Sequence, residues 1–261
     1  MRAHFISANP RSAVVIAMKV LKKTGSYLRN KALRRLSIST LLVMIFVLGV
    51  VSEVPFSPIY VDIGRYEGVR ALFLLVILIF AVIFYRRYSG YRRGYEGERT
   101  VTKILTSTLG DEYSLINDVT VPDGYGNIDH IVLGPNGVFV IETKNFAGRI
   151  ACNGDEWSSQ RTSKFKRLTH YDLGSPSRQV KRNAFRVKRL IGSIDAFKSS
   201  KIWVDAILVF ANKRVELRIN NPTVPILRAT ELPRFIATRK NISVFSAEEL
   251  KLMGREILRQ K

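Results

Sequence analysis

Three charged side chains at one end of an otherwise apolar stretch are the most suggestive chemistry in this sequence. Residues 127–145 read NIDHIVLGPNGVFVIETKN, two apolar runs on either side of Gly134-Pro135-Asn136-Gly137. Short β-branched and aromatic runs around a Gly/Pro/Asn cluster predict a β-hairpin. Pairing Gly134 with Gly137, or closing a four-residue loop between Leu133 and Val138, sets Asp129 opposite Glu142. Lys144 lies two residues further along the same face. Opposed Cβ atoms in antiparallel strands are about 4.5–5.5 Å apart, so two carboxylates placed there repel and call for a cation. Hard oxygen donors of this kind hold Mg²⁺, which polarises a phosphate and acidifies a bound water. A nearby lysine orients that water or stabilises the developing negative charge. The chemistry this implies is phosphodiester hydrolysis. The plainer alternative is a Glu142–Lys144 ion pair at a strand edge. Against it, Val138 and Val140 on one face and Phe139 and Ile141 on the other make the strand apolar on both sides, as in a buried central strand. Charges at the end of such a strand need a reason.

The surrounding elements must position these groups. Residues 96–109 predict a helix with Val101, Ile104, Leu105 and Leu109 on one face. Glu98 lies in its first turn, where a carboxylate also suits the helix dipole. A strand over 113–121 and a turn over 122–126 lead into the hairpin. Beyond Lys144, residues 149–152 predict a strand, Asn153-Gly154 a type I′ turn, and Trp157 a returning strand packed on the sheet. Arg161, Lys164, Lys166 and Arg167 surround Phe165 in a basic segment that is either a phosphate contact or a solvated loop. Ser175-Pro176 opens a helix, with serine as N-cap and proline at the first helical position. Val180, Ala184, Val187, Ile191 and Ile194 face inward, while Arg178, Lys181, Arg182, Lys188 and Arg189 lie mostly on the surface. Residues 203–210 form a buried strand, parallel to part of the hairpin sheet after a helical crossover. A short strand over 224–227, a helix from Thr230 to 238, and a capping box at Ser246–Glu249 opening a last helix complete the chain. The fold class is α/β, a mixed sheet flanked by helices over residues 95–261.

The first 94 residues are of another kind. Residues 36–52 carry no charge, and residues 69–85 only Arg70. Each run is near the lower length limit for a membrane-spanning helix; buried core helices are the alternative. Residues 1–35 hold nine Lys/Arg and no acid. The first 11 are expected to be disordered, and residues 12–36 to be a basic, partly amphipathic segment, interrupted at Gly25, that meets anionic inner-leaflet lipid or stays solvated. Arg86, Arg87, Arg92 and Arg93 fill a basic juxtamembrane linker over 86–94, and Tyr85, Tyr88, Tyr91 and Tyr95 suit an interfacial belt. The positive-inside rule then leaves the short 53–68 linker outside and both ends in the cytoplasm, at the cytoplasmic membrane. The formal charge is +21, and residues 86–261 alone hold 31 Lys/Arg against 18 Asp/Glu. Such an excess implies an anionic partner, nucleic acid or an acidic bilayer leaflet. One cysteine, Cys152, excludes an intrachain disulfide, and His4, His130 and His170 lack metal-ligand spacing.

Asp129 followed by Glu142-Thr143-Lys144 resembles the D…(D/E)-x-K signature of the PD-(D/E)xK nuclease superfamily. Together with Gly97-Glu98, the I-D-H-I to E-T-K-N block, Gly148 and Trp157, residues 95–195 or so resemble the nuclease-related domain called NERD. The resemblance implies a restriction-endonuclease-like sheet and Mg²⁺ (or Mn²⁺) ligated by Asp129, Glu142 and Glu98, with the Thr143 carbonyl as a further oxygen. It implies that Lys144 positions the attacking water. Gln179 matches a family glutamine near the active site, although Ser175 stands where the family string has Asn and Asn183 where some relatives have Tyr. The basic groups Arg161, Lys164, Lys166, Arg167, Arg178, Lys181 and Arg182 would hold a nucleic-acid backbone, DNA favoured over RNA, without reading sequence. The expectation is a membrane-anchored, Mg²⁺-dependent nuclease behind a two-helix transmembrane hairpin. The alternative is a non-catalytic membrane tether for nucleic acid or a protein complex.

Overall fold

Residues Lys19–Lys22, expected within a basic amphipathic segment, instead form a strand, β1, at the edge of a sheet. The computed structural model describes residues 18–23, 26–52, 67–120, 126–162, 168–170, 173–240 and 244–259. The first 11 residues, most of the 53–68 linker and the basic positions 164, 166 and 167 therefore lie outside the described residues. After β1 come two long helices, α1 (Ser26–Val51) and α2 (Glu67–Thr108), and then strands β2 (Ser114–Thr120), β3 (Asn127–Gly134) and β4 (Gly137–Lys144). Strands β5 (Gly148–Asn153), β6 (Glu156–Thr162) and β7 (Leu168–His170) precede helix α3 (Pro176–Gly192). The chain ends with β8 (Val204–Phe210), β9 (Val215–Asn220), β10 (Ile226–Arg228), α4 (Leu232–Thr238) and α5 (Ala247–Arg259).

A six-stranded mixed sheet of order β1-β2-β3-β4-β8-β10 forms the centre. The hairpin has the anticipated register, from Gly134 opposite Gly137 to His130 opposite Ile141, with Pro135-Asn136 as a two-residue loop. β8 runs parallel to β4, pairing Val138 with Val204 and Lys144 with Phe210. β4 is thus flanked on both sides. Val138 and Val140 pack under α3 and α5, while Phe139 and Ile141 pack against α2 and α4. β1 adds to β2 in parallel. An unpaired β2 edge would present a row of free backbone groups; β1 covers it, and Met18 is buried with the α2 residues.

A second sheet, of order β7-β6-β5-β9, was not separated from the first in the sequence reading. Its turn also differs. Asn153 pairs with Glu156, so Gly154-Asp155 is the loop, and only Gly154 has positive φ (61°). That is the glycine-first pattern of a type II′ turn rather than type I′. Trp157 packs on Phe210 with ring centroids 6.1 Å apart. The cap at Ser175 and the Ser246–Glu249 capping box both form. Thr230 caps nothing, since α4 starts after Glu231 without a side-chain cap.

The basic segment 86–94 is no break in the backbone: α2 continues through it for 42 residues, about 63 Å at the α-helical rise. One helix thus carries both the second apolar run and the first helix of the α/β domain. α1 lies antiparallel to it. Ser39 Oγ donates to the Ala81 carbonyl (3.0 Å), and Arg70 Nη2 to the Gly49 carbonyl (3.1 Å). Both helices are long and apolar enough to cross a membrane, and their Leu, Val, Ile and Phe side chains are largely exposed.

Candidate active site

The paired ladder of the hairpin ends one step short of the Asp129/Glu142 position. There the Asp129 carboxylate takes the place of a backbone acceptor: its Oδ2 receives the Thr143 N–H at 2.7 Å. The substitution fixes Asp129 against the end of β4. Glu142 is 3% exposed. Its Oε1 accepts from Lys144 Nζ at 2.7 Å, and its Oε2 is buried with no hydrogen-bond partner. Lys144 Nζ also donates to Gln179 Oε1 at 3.1 Å, which ties the end of β4 to the first turn of α3. An ammonium has three N–H donors, so one remains after these two bonds.

Glu98 arrives from α2. Gly97 allows this approach, because a Cβ there would stand 2.7 Å from the Asn145 Cβ. Glu98, Asp129, Glu142 and Lys144 line one cleft of about 420 Å³. Its outer wall comes from the base of the helical hairpin, Leu28, Gly90, Arg93 and Gly94, and its far side includes Asn212 and Arg214.

The electrostatics are those of crowded acids. Burial, then Asp118 and Glu142, push the Glu98 carboxyl up to about 8. Asp129 is raised well above its ordinary value by burial and by Glu142 and Glu98, against the opposing Thr143 N–H and Lys144. Glu142 is raised by burial, with Lys144 and Arg182 pulling the other way. For Lys144 burial acts downward, but Glu142 outweighs it and the ammonium is held above its usual range. A positive charge beyond Lys144 would relieve three carboxyl groups at once.

Asp118 was not anticipated. The β2–β3 register, with Asn117 opposite His130 and Val119 opposite Ile128, puts it across from Asp129. Asp118 has φ of 54°, a left-handed conformation that aspartate tolerates better than most residues. A second unanticipated feature is a buried polar chain behind the site. Asn117 Nδ2 donates to the Lys22 carbonyl (3.0 Å), so its Oδ1 accepts from His130 Nδ1 (2.7 Å). His130 Nε2 then accepts the Thr143 hydroxyl (3.1 Å). Burial lowers the His130 pKa to about 3, so the imidazole is neutral and its tautomer is set by this chain. Only the pairing of β2 with β3 could have revealed either feature from sequence.

Among the other anticipated residues, Gln179 is in the site. Arg178, Lys181 and Arg182 lie on the first two turns of α3, and Lys181 pairs with Asp155 (2.6 Å). Arg161 lies on β6.

Two carboxylates and a lysine thus meet at the end of the central hairpin of a mixed α/β domain. Residues 93–211 match the model of the NERD family, nuclease-related domain. An uncharacterized protein of Bacillus anthracis is 37% identical over 82 residues, 30% of this chain and 39% of the relative. The alignment thus spans well under half of that curated relative. No solved structure matches the chain.

Proposed function

We propose that this protein is a membrane-anchored nuclease that hydrolyses nucleic-acid phosphodiester bonds with Mg²⁺ or Mn²⁺, DNA being the favoured substrate. The observation that carries the reading is Glu142 Oε2, a buried carboxylate oxygen without a partner, beside Lys144 in an acid-lined cleft. Buried carboxylate oxygens are ordinarily satisfied, and this one faces a deficit of positive charge. Asp129 and Glu142 suit Mg²⁺, which is commonly held by one or two carboxylates plus waters and substrate phosphate. When bound, the ion polarises the scissile phosphate and lowers the pKa of a water. Asp129 is kept in place by the Thr143 N–H. Lys144, steadied by Glu142 and Gln179, directs its third N–H to the attacking water or the phosphate oxygens. Glu98 retains its proton near neutral pH until a cation arrives, and then serves as an auxiliary ligand. Arg178 and Arg182 add positive charge on the rim for the phosphate backbone.

The membrane part of the reading rests on the helical hairpin. β1 precedes α1 and yet pairs in the sheet of the α/β domain, so both ends of the hairpin lie on one side. Arg34, Arg35, Arg86 and Arg87 bound its apolar section on that side, which by the positive-inside rule is the cytoplasm. The same arginines are suited to anionic headgroups.

One observation favours the tether as a second reading: among the described residues, no three acidic, histidine or cysteine side chains converge tightly enough to cage a metal. The test uses the full chain in detergent micelles, because β1 belongs to the sheet. Linear, circular and single-stranded DNA, and RNA, are incubated with Mg²⁺, Mn²⁺ or EDTA. Metal-dependent cleavage that disappears in Asp129→Ala and Lys144→Ala is the expected result. Binding without cleavage, unchanged in both variants, would establish the tether instead.

A further inference from the structure

Phe185 and Trp203 are the two most exposed large aromatic side chains among the described residues of the α/β domain, at 60% and 49%. They line the same groove, of about 410 Å³, together with Lys181, Lys188 and Arg239. The arrangement follows from helix periodicity. Arg178, Lys181, Phe185 and Lys188 are spaced three, four and three residues apart, which puts them on one stripe of α3. That stripe borders the core positions Val180, Ala184, Val187 and Ile191, and Ala184 also lines the groove. Across the groove, the Trp203 indole N–H donates to Asp205 Oδ1 at 3.2 Å, and Asp205 is itself paired with Arg239 at 3.0 Å. The edge of the indole is thus anchored to a buried carboxylate while half of its surface stays open to solvent.

The groove shares no lining residue with the cleft, and α3 runs between the two. α3 begins beside the site, where Gln179 holds Lys144, and runs back along β4 and β8 toward Trp203. Phe185 is six residues beyond Gln179, about 9 Å along the helix axis. Aromatic faces alternating with cations are what an unpaired strand needs: bases stack on the rings and phosphates meet the charges. A duplex keeps its base faces covered and offers such a groove only its backbone.

We propose that this groove is a subsite for single-stranded nucleic acid, with unpaired bases stacking on Trp203 and Phe185 and phosphates facing Lys181, Lys188 and Arg239. It rests on the reading that nucleic acid is the substrate, but not on cleavage. The subsite delivers the strand along α3 to the carboxylate cleft.

The test is equilibrium binding to the full chain in detergent micelles with EDTA present, so that no cleavage occurs. The probes are a labelled oligodeoxythymidylate and a duplex of equal length. Trp203→Ala and Phe185→Ala should each weaken single-strand binding roughly 5- to 150-fold, the range for loss of one base–aromatic stack, and change duplex binding by less than about twofold. Trp203→Phe should retain most of the affinity. Lys188→Gln should lower the slope of log affinity against log salt by about 0.7, one single-strand phosphate contact. In a Trp157→Phe background, the oligonucleotide should quench the fluorescence of Trp203. The inference is overturned if the alanine variants bind the single strand as the parent does, if they lose both probes equally, or if the parent binds no single strand. It also fails if Trp203→Ala turns a dimer into a monomer with nucleic-acid binding unchanged, which would assign the groove to a second copy. Trp203-dependent binding in a protein that never cleaves would retain this subsite and remove the nuclease reading. Cleavage with Trp203-independent binding would do the reverse.

Discussion

Replacing Glu98 by glutamine isolates the cost of crowding acids without a cation. The Glu98 carboxyl stands at about 8 in the folded chain against an ordinary 4.5, first through burial and then through Asp118 and Glu142. Between those two values the unfolded chain has lost this proton and the folded chain has kept it. The folded state therefore binds more protons, and stability falls as pH rises, by about 1.4 kcal/mol per pH unit for one group. From pH 5 to pH 8 the loss attributable to Glu98 reaches about 4 kcal/mol as an upper value. For a domain of this size that corresponds to roughly 8–16 °C in melting temperature. Glutamine keeps the shape and removes the titration. Thermal unfolding of both proteins in micelles with EDTA, followed at several pH values, gives the difference curve. Parent and variant should be close at pH 5, and the variant should be the more stable by pH 8. Asp129 and Glu142 are also raised, so the variant keeps a residual slope and the difference is the readout. Millimolar Mg²⁺ should flatten the parent curve, since bound positive charge favours the ionised form. Parallel curves for the two proteins would refute the claim that Glu98 is held protonated by the cluster.

Met18→Ala removes a buried side chain that joins β1 to the α2 core, and should cost about 2–4 kcal/mol in chemical denaturation; no loss would mean that β1 is not docked in solution. Gly97→Ala puts a Cβ 2.7 Å from the Asn145 Cβ and should destabilise by about 1–3 kcal/mol, with cleavage reduced because α2 is pushed off the end of β4. For the orientation of the hairpin, Ser57→Cys in a Cys152→Ser background should react with a membrane-impermeant maleimide added outside intact cells; labelling only after lysis would contradict the proposed topology.

Much of the site was readable because it depends on local rules. The Gly134–Gly137 cluster fixes a turn, the turn fixes the register, and the register places Asp129 by Glu142 with Lys144 on the same face. Ser175-Pro176 fixes where α3 starts, and so where Gln179 points. The unread features depend on contacts distant in sequence. Asp118 faces Asp129 only through the pairing of β2 with β3. β9 shows alternation in VELRIN, but nothing local assigns it to β5 and so to a second sheet. For residues 19–22, basic amphipathic character suits a membrane surface as well as a sheet edge, and the unpaired β2 edge 90 residues later decides between them.

That last pairing extends the support of the site beyond the α/β domain. Lys22 accepts from Asn117, Asn117 orients His130, His130 holds Thr143, and the Thr143 N–H holds Asp129. Asn117 and His130 are fully buried, and leaving either unsatisfied would carry a desolvation cost of about 1–3 kcal/mol. Removing residues 1–23 therefore does more than expose a strand edge. It takes away the acceptor that sets the Asn117 amide, and with it the tautomer of His130 and the anchor of Thr143. The hairpin between β1 and the domain also supplies Leu28, Gly90, Arg93 and Gly94 to the cleft wall. A fragment cut at the boundary of the family match, residue 93, would keep Asp129, Glu142 and Lys144 but lose β1 and, from the cleft wall, Leu28 and Gly90. Loss of activity in such a fragment would be a statement about positioning, and chemistry can be judged only on the full chain.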